Sequence, residues 1–360
     1  VSETTEPGPL GNQMSLYDHS MRLHQLHPDA PLPNDGKPYP DRVAHRRWVK
    51  GPDDRRRQGV AAAAILDAFF TRPDATPDEL TWAFHDVDVP IHRNDHITAA
   101  ALRADRERVQ ETGRWLVRHS PDQCSTVIGL ALLAADWDEQ DVDLLQHIGL
   151  LSNTFGPLAA HALKRREGGG EALRWLAPRT AGWGRVYVVE ALCEIGGRRA
   201  RPWLLRHALD GDCLNGYYVG AVARAADVHE AITASDPDDE LIDHTGRLLK
   251  VMAGNSGMGM TWDGYPPIRR VLDAHVTHLA HQQPTRHRYV TAAYIADRLL
   301  KADPDLPNLP PEHQGRLLDR YLTILRRDDW SSMARASLDP ADEFPAWFLE
   351  NIAARLQLLS

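Results

Sequence analysis

Residues 172–205 read ALRWLAPRTAGWGRVYVVEALCEIGGRRARPWLL, one full period of a pattern that runs through the middle of the chain. Trp175-Leu176-Ala177 opens the period and Trp203-Leu204-Leu205 reopens it 28 positions later. The same phrase stands at Trp115-Leu116-Val117 and Leu144-Leu145-Gln146, with steps of 29 and 31. A second phrase keeps the same beat at Leu132-Leu133, Ala162-Leu163, Ala191-Leu192 and Ala221-Val222, with steps of 30, 29 and 30. Two apolar phrases per period, each in a helix-like stretch, are what stacked helix pairs require. One pair cannot bury its apolar faces alone, so neighbours must stack. The expectation is an all-α chain, an α-solenoid of antiparallel helix pairs at 122–150, 154–178, 183–209 and 214–234.

Breakers fall where such helices should end: Gly168-Gly169-Gly170, Gly196-Gly197 and Asp210-Gly211-Asp212. Pro202 falls in the first turn of its helix, where the missing N–H matters little. Before the array, 59–71 predicts a helix with one broad apolar face, and Thr76 with Glu79 resembles a capping box for 77–84. Residues 97–119 predict one long helix, and further helices are expected at 238–253, 267–281, 285–301, 314–326 and 344–358. Five prolines between Pro28 and Pro40 deny the N-terminal stretch long helices. The expected organisation is a flexible Pro-rich arm at 1–41, a helical cap at 42–120 and the repeat domain at 121–358. Arg42, Arg46, Arg47, Lys50 and Arg55 to Arg57 make the start of the cap locally basic, which reads as a solvated linker and helix start.

The apolar fraction of 42% and charged fraction of 25% are ordinary for a globular protein. A net charge of −9 opposes binding of phosphate by the body as a whole. Arg supplies 36 of the 41 basic residues, a bias that with abundant Ala fits a high-GC genome. Cys124, Cys193 and Cys213 show neither CxxC spacing nor a disulfide framework, which suits a reducing cytosol. No basic segment followed by an apolar run opens the sequence, and the longest apolar stretches fall far below the roughly 18 residues a membrane span needs. The expected location is cytoplasmic, with no membrane contact.

At the quoted phrases the unit of 28–31 residues resembles the short HEAT-like repeats of bacterial proteins in the armadillo/HEAT superfamily. The likeness covers 112–235 directly and 236–358 by extension. It is a pattern of apolar positions, so it implies architecture and is silent on activity. Tetratricopeptide repeats, at about 34 residues, are the rival period, but their Trp, Gly and Tyr pattern is not legible. HEAT-like di-iron hydroxylases repeat His-Glu pairs; His229-Glu230 alone has that form here.

The search for chemistry returns little. His92 with His96, and His275, His278 and His281, have helical spacing, but His-Glu-x-x-His is absent and no metal is expected. The glycine-rich stretch 254–264 lacks the Lys-Ser/Thr ending of a phosphate loop and reads as a flexible connection. No Gly-x-Ser-x-Gly occurs, so neither catalytic residues nor a cofactor is expected. Aromatic residues instead gather at the openings of adjacent repeats: Trp183, Tyr187, Tyr217 and Tyr218, with Arg185 close by. Tyr, Trp and Arg carry interface hot spots, and Trp262 on the glycine-rich stretch could join them. The expected function is a non-catalytic scaffold that binds a protein or peptide along a groove. Two alternatives follow from the resemblance. HEAT-like alkylpurine DNA glycosylases would require Arg103, Arg106, Arg108, Arg114 and Arg118 to gather on a basic concave face, and HEAT-like bilin lyases would imply a small-molecule enzyme.

Overall fold

The computed structural model describes residues 14–42, 49, 51–136, 139–211, 214–255, 257–301, 304 and 306–359. Among the described residues no strand is present, and the regular elements are α-helices and single short turns of 3-10 or π geometry. The chain divides into two compact units, Val1–Ile195 and Gly196–Ser360. The expected pair at 183–209 is therefore split between them.

Unit 1 holds α1 (Leu16–Leu26), α2 (Val60–Phe70), α3 (Asp95–Arg103), α4 (Arg106–His119), α5 (Gln123–Ala135), α6 (Val142–Ile148), α7 (Ser152–Leu163), α8 (Gly169–Leu176) and α9 (Gly182–Ile195). Helix α4 packs on α5, α5 on α7 and α7 on α9, while α6 packs on α8. Helix α5 is apolar on every side, and every residue from Ser125 to Ala135 is buried, as a helix at the centre of a core must be. Its crossing with α4 is close because both helices present glycine: a Cβ on Gly129 would lie 3.0 Å from the Gly113 carbonyl oxygen. The repeated phrases supply the core through their second residue. Leu116, Leu145, Leu176 and Leu204 are each at most 1% exposed, whereas Trp115, Trp175 and Trp203 are half-buried. Each of those indoles instead meets the side chain one turn on, His119, Arg179 or His207.

Two expectations need correction in unit 1. The stretch 97–119 is two helices, because Asp105 turns extended and its carboxylate accepts from the Arg108 N–H, capping α4. The N-terminal arm is not a free arm over residues 16–41; residues 1–13 lie outside the described residues. Leu16 is fully buried, and the Ser20 hydroxyl donates to the His147 carbonyl at 2.6 Å. The Pro-rich segment has little helix of its own, as expected, but it carries two distant caps. Asp35 accepts from the Ser152 N–H at 2.7 Å and Asp41 from the Gln123 N–H at 2.8 Å. These carboxylates satisfy first-turn amides of α7 and α5 and complement the helix dipoles.

A buried carboxylate ties the unit together. Asp141 accepts from Arg114 Nε at 2.6 Å and faces Arg166 Nη2 at 3.4 Å. Arg166, its side chain 1% exposed, also donates to the carbonyls of Ala162 and Leu133.

Unit 2 holds α10 (Gly197–Leu204), α11 (Asn215–Ala225), α12 (Val228–Ile232), α13 (Asp239–Gly254), α14 (Ile268–Leu279), α15 (Arg286–Leu300), α16 (Pro311–Leu325), α17 (Asp328–Ser337) and α18 (Glu343–Phe348), the last running into a π turn. Packing alternates: α11 on α13 and α13 on α15, with α12 on α14 and α14 on α16. Two histidines lie in this core. His244 Nε2 accepts from the Leu209 N–H at 3.2 Å, and His275 Nδ1 hydrogen-bonds the Tyr321 hydroxyl at 2.8 Å. Burial pushes each down to about 3, so both are neutral at pH 7. In the unfolded chain they protonate near the ordinary value of about 6.5. Between those limits the unfolded chain binds protons that the folded chain refuses, so stability falls as pH drops below about 6.5. Urea midpoints measured from pH 7 down to pH 5 should therefore decrease, and a flat profile would place these rings in water.

Candidate functional site

Helices α7 and α9 lie close because small residues face each other: a Cβ on Gly184 would meet Ser152 Oγ at 2.0 Å. Beside this contact the helices open into a cleft of about 250 Å³. Pro157, Ala160, His161 and Lys164 line it from α7, and Tyr187, Glu190, Ala191 and Glu194 from α9. Both sets follow i, i+3, i+4, i+7 spacing, which puts each on one helical face. The two sets are also offset by 30 positions throughout, so the cleft joins equivalent places in consecutive periods. His92 and Arg93, just before α3, close one end.

The charges in the cleft are unevenly matched. Lys164 pairs with Glu194, and Arg93 Nη1 lies 3.0 Å from Asp95 Oδ1. Glu190 receives no hydrogen bond from any described residue. Partial desolvation raises its carboxyl above the usual range, Glu194 adds to this and Lys164 opposes it. His161 is pushed down to about 4 by burial, with Lys164, Arg165 and Arg93 adding to the effect, and is neutral at pH 7. Its Nε2 is buried and has no hydrogen-bond partner among the described residues. An aromatic wall stands beside these groups. The Tyr187 ring stacks with exposed Trp183 at 6.2 Å and meets His92 edge-on at 5.4 Å. Burial, then Glu190, raises the Tyr187 phenol, which stays protonated as a donor. Apart from Tyr187 the described lining holds no hydroxyl, and it holds no thiol. The thiol of Cys193, on the same helix, is pushed up to about 12 by burial.

The residues expected at an aromatic rim are dispersed. Tyr187 lines the cleft and Trp183 flanks it. Arg185 is 5% exposed and donates to the Ala177 carbonyl at 2.5 Å. Successive helical residues are about 100° apart, so Arg185 and Tyr187 point to nearly opposite sides. The same geometry separates Tyr217 from Tyr218 on α11 in unit 2: Tyr217 is 37% exposed, whereas Tyr218 is buried and its hydroxyl donates to Asn215. Trp262 is no lid on a mobile loop. It is 1% exposed, with Nε1–H donating to the Leu249 carbonyl at 3.0 Å.

Of the residues considered for other chemistries, His96 donates through Nε2 to the Arg56 carbonyl and His278 through Nε2 to the Ile232 carbonyl, each in a structural hydrogen bond. Among the described residues no group of three or more His, Cys, Asp or Glu is placed to hold a metal. Cys213, Arg46, Arg47 and Lys50 lie outside the described residues. Four of the five arginines that would form a basic concave face are engaged, Arg103 with Asp67, Arg106 with Asp136, Arg114 with Asp141 and Arg108 with three carbonyls, while Arg118 is exposed. No helix among the described residues is long and apolar enough to cross a membrane. Glu190 and His161 escaped the sequence reading, although the 30-residue offset from Lys164 to Glu194 would have pointed to them. Comparison with protein-family models, curated proteins and solved structures gives no match to the chain in any of the three, so the site is read from its own geometry.

Proposed function

We propose that the chain is a non-catalytic interaction scaffold that holds a protein or peptide partner by seating a lysine or arginine side chain in the α7–α9 cleft. The observation that carries this reading is the Glu190 carboxylate, which makes no hydrogen bond or ion pair with any described residue, while both cations of the cleft are paired with other acids. An organic cation supplies the missing charge. The Tyr187 ring beside it offers a cation–π surface, worth about 0.5–2 kcal/mol according to how dry the contact is. A net charge of −9 steers basic partners towards the chain. That balance, with an unpaired carboxylate in the cleft, disfavours a nucleic-acid ligand there.

The architecture behind the cleft is an α-solenoid of HEAT-like pairs in this reading. Its support is the alternation of helix contacts within each unit and the offset of 30 between the two walls of the cleft. Cys124 and Cys193 are in no disulfide, which fits a cytoplasmic setting.

Titration calorimetry with short peptides bearing one central lysine or arginine tests the proposal. Binding should weaken about tenfold when the lysine is acetylated, and by a similar factor in Glu190→Gln, since each removes one charge of a partly desolvated pair. The Glu190→Gln protein should keep its melting temperature or gain slightly, because a carboxylate without a partner is removed. Equal affinity for acetylated and free lysine would refute the cation reading.

A further inference from the structure

A second concavity lies wholly within unit 2, between α12 with the residues that follow it and the length of α14, with a volume of about 870 Å³. Pockets of about 300–1,000 Å³ take small organic molecules. Its charge is opposite to that of the α7–α9 cleft. Arg269 and Arg270 project into it from α14, both exposed and both without a hydrogen bond or ion pair to any described residue. The single acid among the described lining residues is already spent: Asp273 Oδ2 lies 2.9 Å from His313 Nε2, and Asp273 Oδ1 accepts from Arg320 at 3.2 Å. His278, on the same wall, is held in place through Nε2 by the Ile232 carbonyl at 3.1 Å. Pro266 and Ala274 contribute apolar surface for the body of a ligand.

We infer that this groove binds a small phosphorylated molecule of about nucleotide size, with Arg269 and Arg270 on the phosphate. Two guanidinium groups match a phosphomonoester dianion in charge, and each fork can meet two of its oxygens. The other Arg side chains that face acids in this unit are neutralised within the fold, as Arg288 is by Asp243 and Asp239 and Arg247 by Asp210. Arg224 and Arg286 are also exposed and make no ion pair with a described residue, but Arg269 and Arg270 are the arginines that line this groove and can meet an anion in it. The concave shape, with room for a base-sized body beside the phosphate, suits a discrete molecule better than a polymer backbone.

The test uses the full chain with adenosine monophosphate, adenosine, inorganic phosphate and a single-stranded oligonucleotide of twelve residues as probes. Calorimetry should show adenosine monophosphate binding at least tenfold tighter than adenosine, with inorganic phosphate competing. Arg269→Gln and Arg270→Gln should each weaken binding, and the double variant should lose at least tenfold. Because both side chains are exposed, far-ultraviolet circular dichroism and melting should not move, and the single variants serve if the double one does. Failure of every phosphate-bearing probe to bind, or undiminished binding by the double variant, overturns the inference. So does preference for the oligonucleotide with a steep salt dependence, which would mark a nucleic-acid surface.

Discussion

Replacement of Trp262 by alanine is expected to lower stability by about 3–5 kcal/mol, the loss typical of deleting a large aromatic from a packed core. The ring sits in a segment with four glycines from Gly254 to Gly264, where an exposed, mobile aromatic would be the natural reading. Instead the indole is 1% exposed, its N–H is satisfied by Leu249 on α13, and the Arg298 guanidinium lies 5.6 Å from its centroid. Alanine would leave a cavity among helices that cannot collapse fully onto it. Trp262→Phe should lose markedly less, since most of the buried area remains. Urea denaturation followed by circular dichroism measures both. A change below about 1 kcal/mol for the alanine variant would return the ring to the surface, where substitutions have small effects.

The second large effect is expected at Asp141. Its carboxylate is 2% exposed and lies against Arg114 and against Arg166, whose own side chain is 1% exposed. Removing one partner of a buried ion pair leaves an uncompensated charge, and such changes destabilise by about 3–5 kcal/mol. Asp141→Ala should fall in that range. Asp141→Asn keeps an acceptor for the Arg114 N–H and should be milder, while Asp141→Ala combined with Arg166→Met should recover part of the loss. If the single alanine variant unfolds at the same urea concentration as the parent protein, the carboxylate is not part of the interior.

Legibility in the sequence followed the range of the interactions involved. Helices α5, α9 and α11 carry dense apolar periodicity and start within one residue of the expected pair openings, and α15 lies within one residue of its expected limits at both ends. Helix α17 was not foreseen: its sequence, DDWSSMARAS, is polar, and only Trp330 and Ala334 are buried. The break between α3 and α4 depends on one local cap, Asp105, which a continuous run of Arg and Glu conceals. The N-terminal segment was misread for a different reason. Its prolines do prevent regular helix, but Asp35 and Asp41 find their partners 117 and 82 residues away, and no local pattern encodes that. At the candidate site, Tyr187 and Trp183 were visible as aromatics at a repeat opening. Arg185 beside Tyr187, and Tyr218 beside Tyr217, point elsewhere because facing is set by rotation about the helix axis, and Trp262, outside any helix, is buried. Glu190 and His161 carry no motif. Only the period of 30, applied position by position to α7 and α9, brings them together.

The most direct test is a nuclear magnetic resonance titration of the protein, carbon-labelled in its histidine and tyrosine rings, with a lysine-bearing peptide. If the cleft holds the cation, the His161, His92 and Tyr187 ring signals move together with one saturation curve. The His244 and His275 signals, from rings buried in unit 2, stay fixed. The shifts should fade as the pH is lowered through the raised pKa of Glu190, because protonation removes the charge that the ligand meets, and they should be absent with the acetylated peptide. A titration in which the three cleft rings remain unmoved while the peptide binds elsewhere would contradict the account.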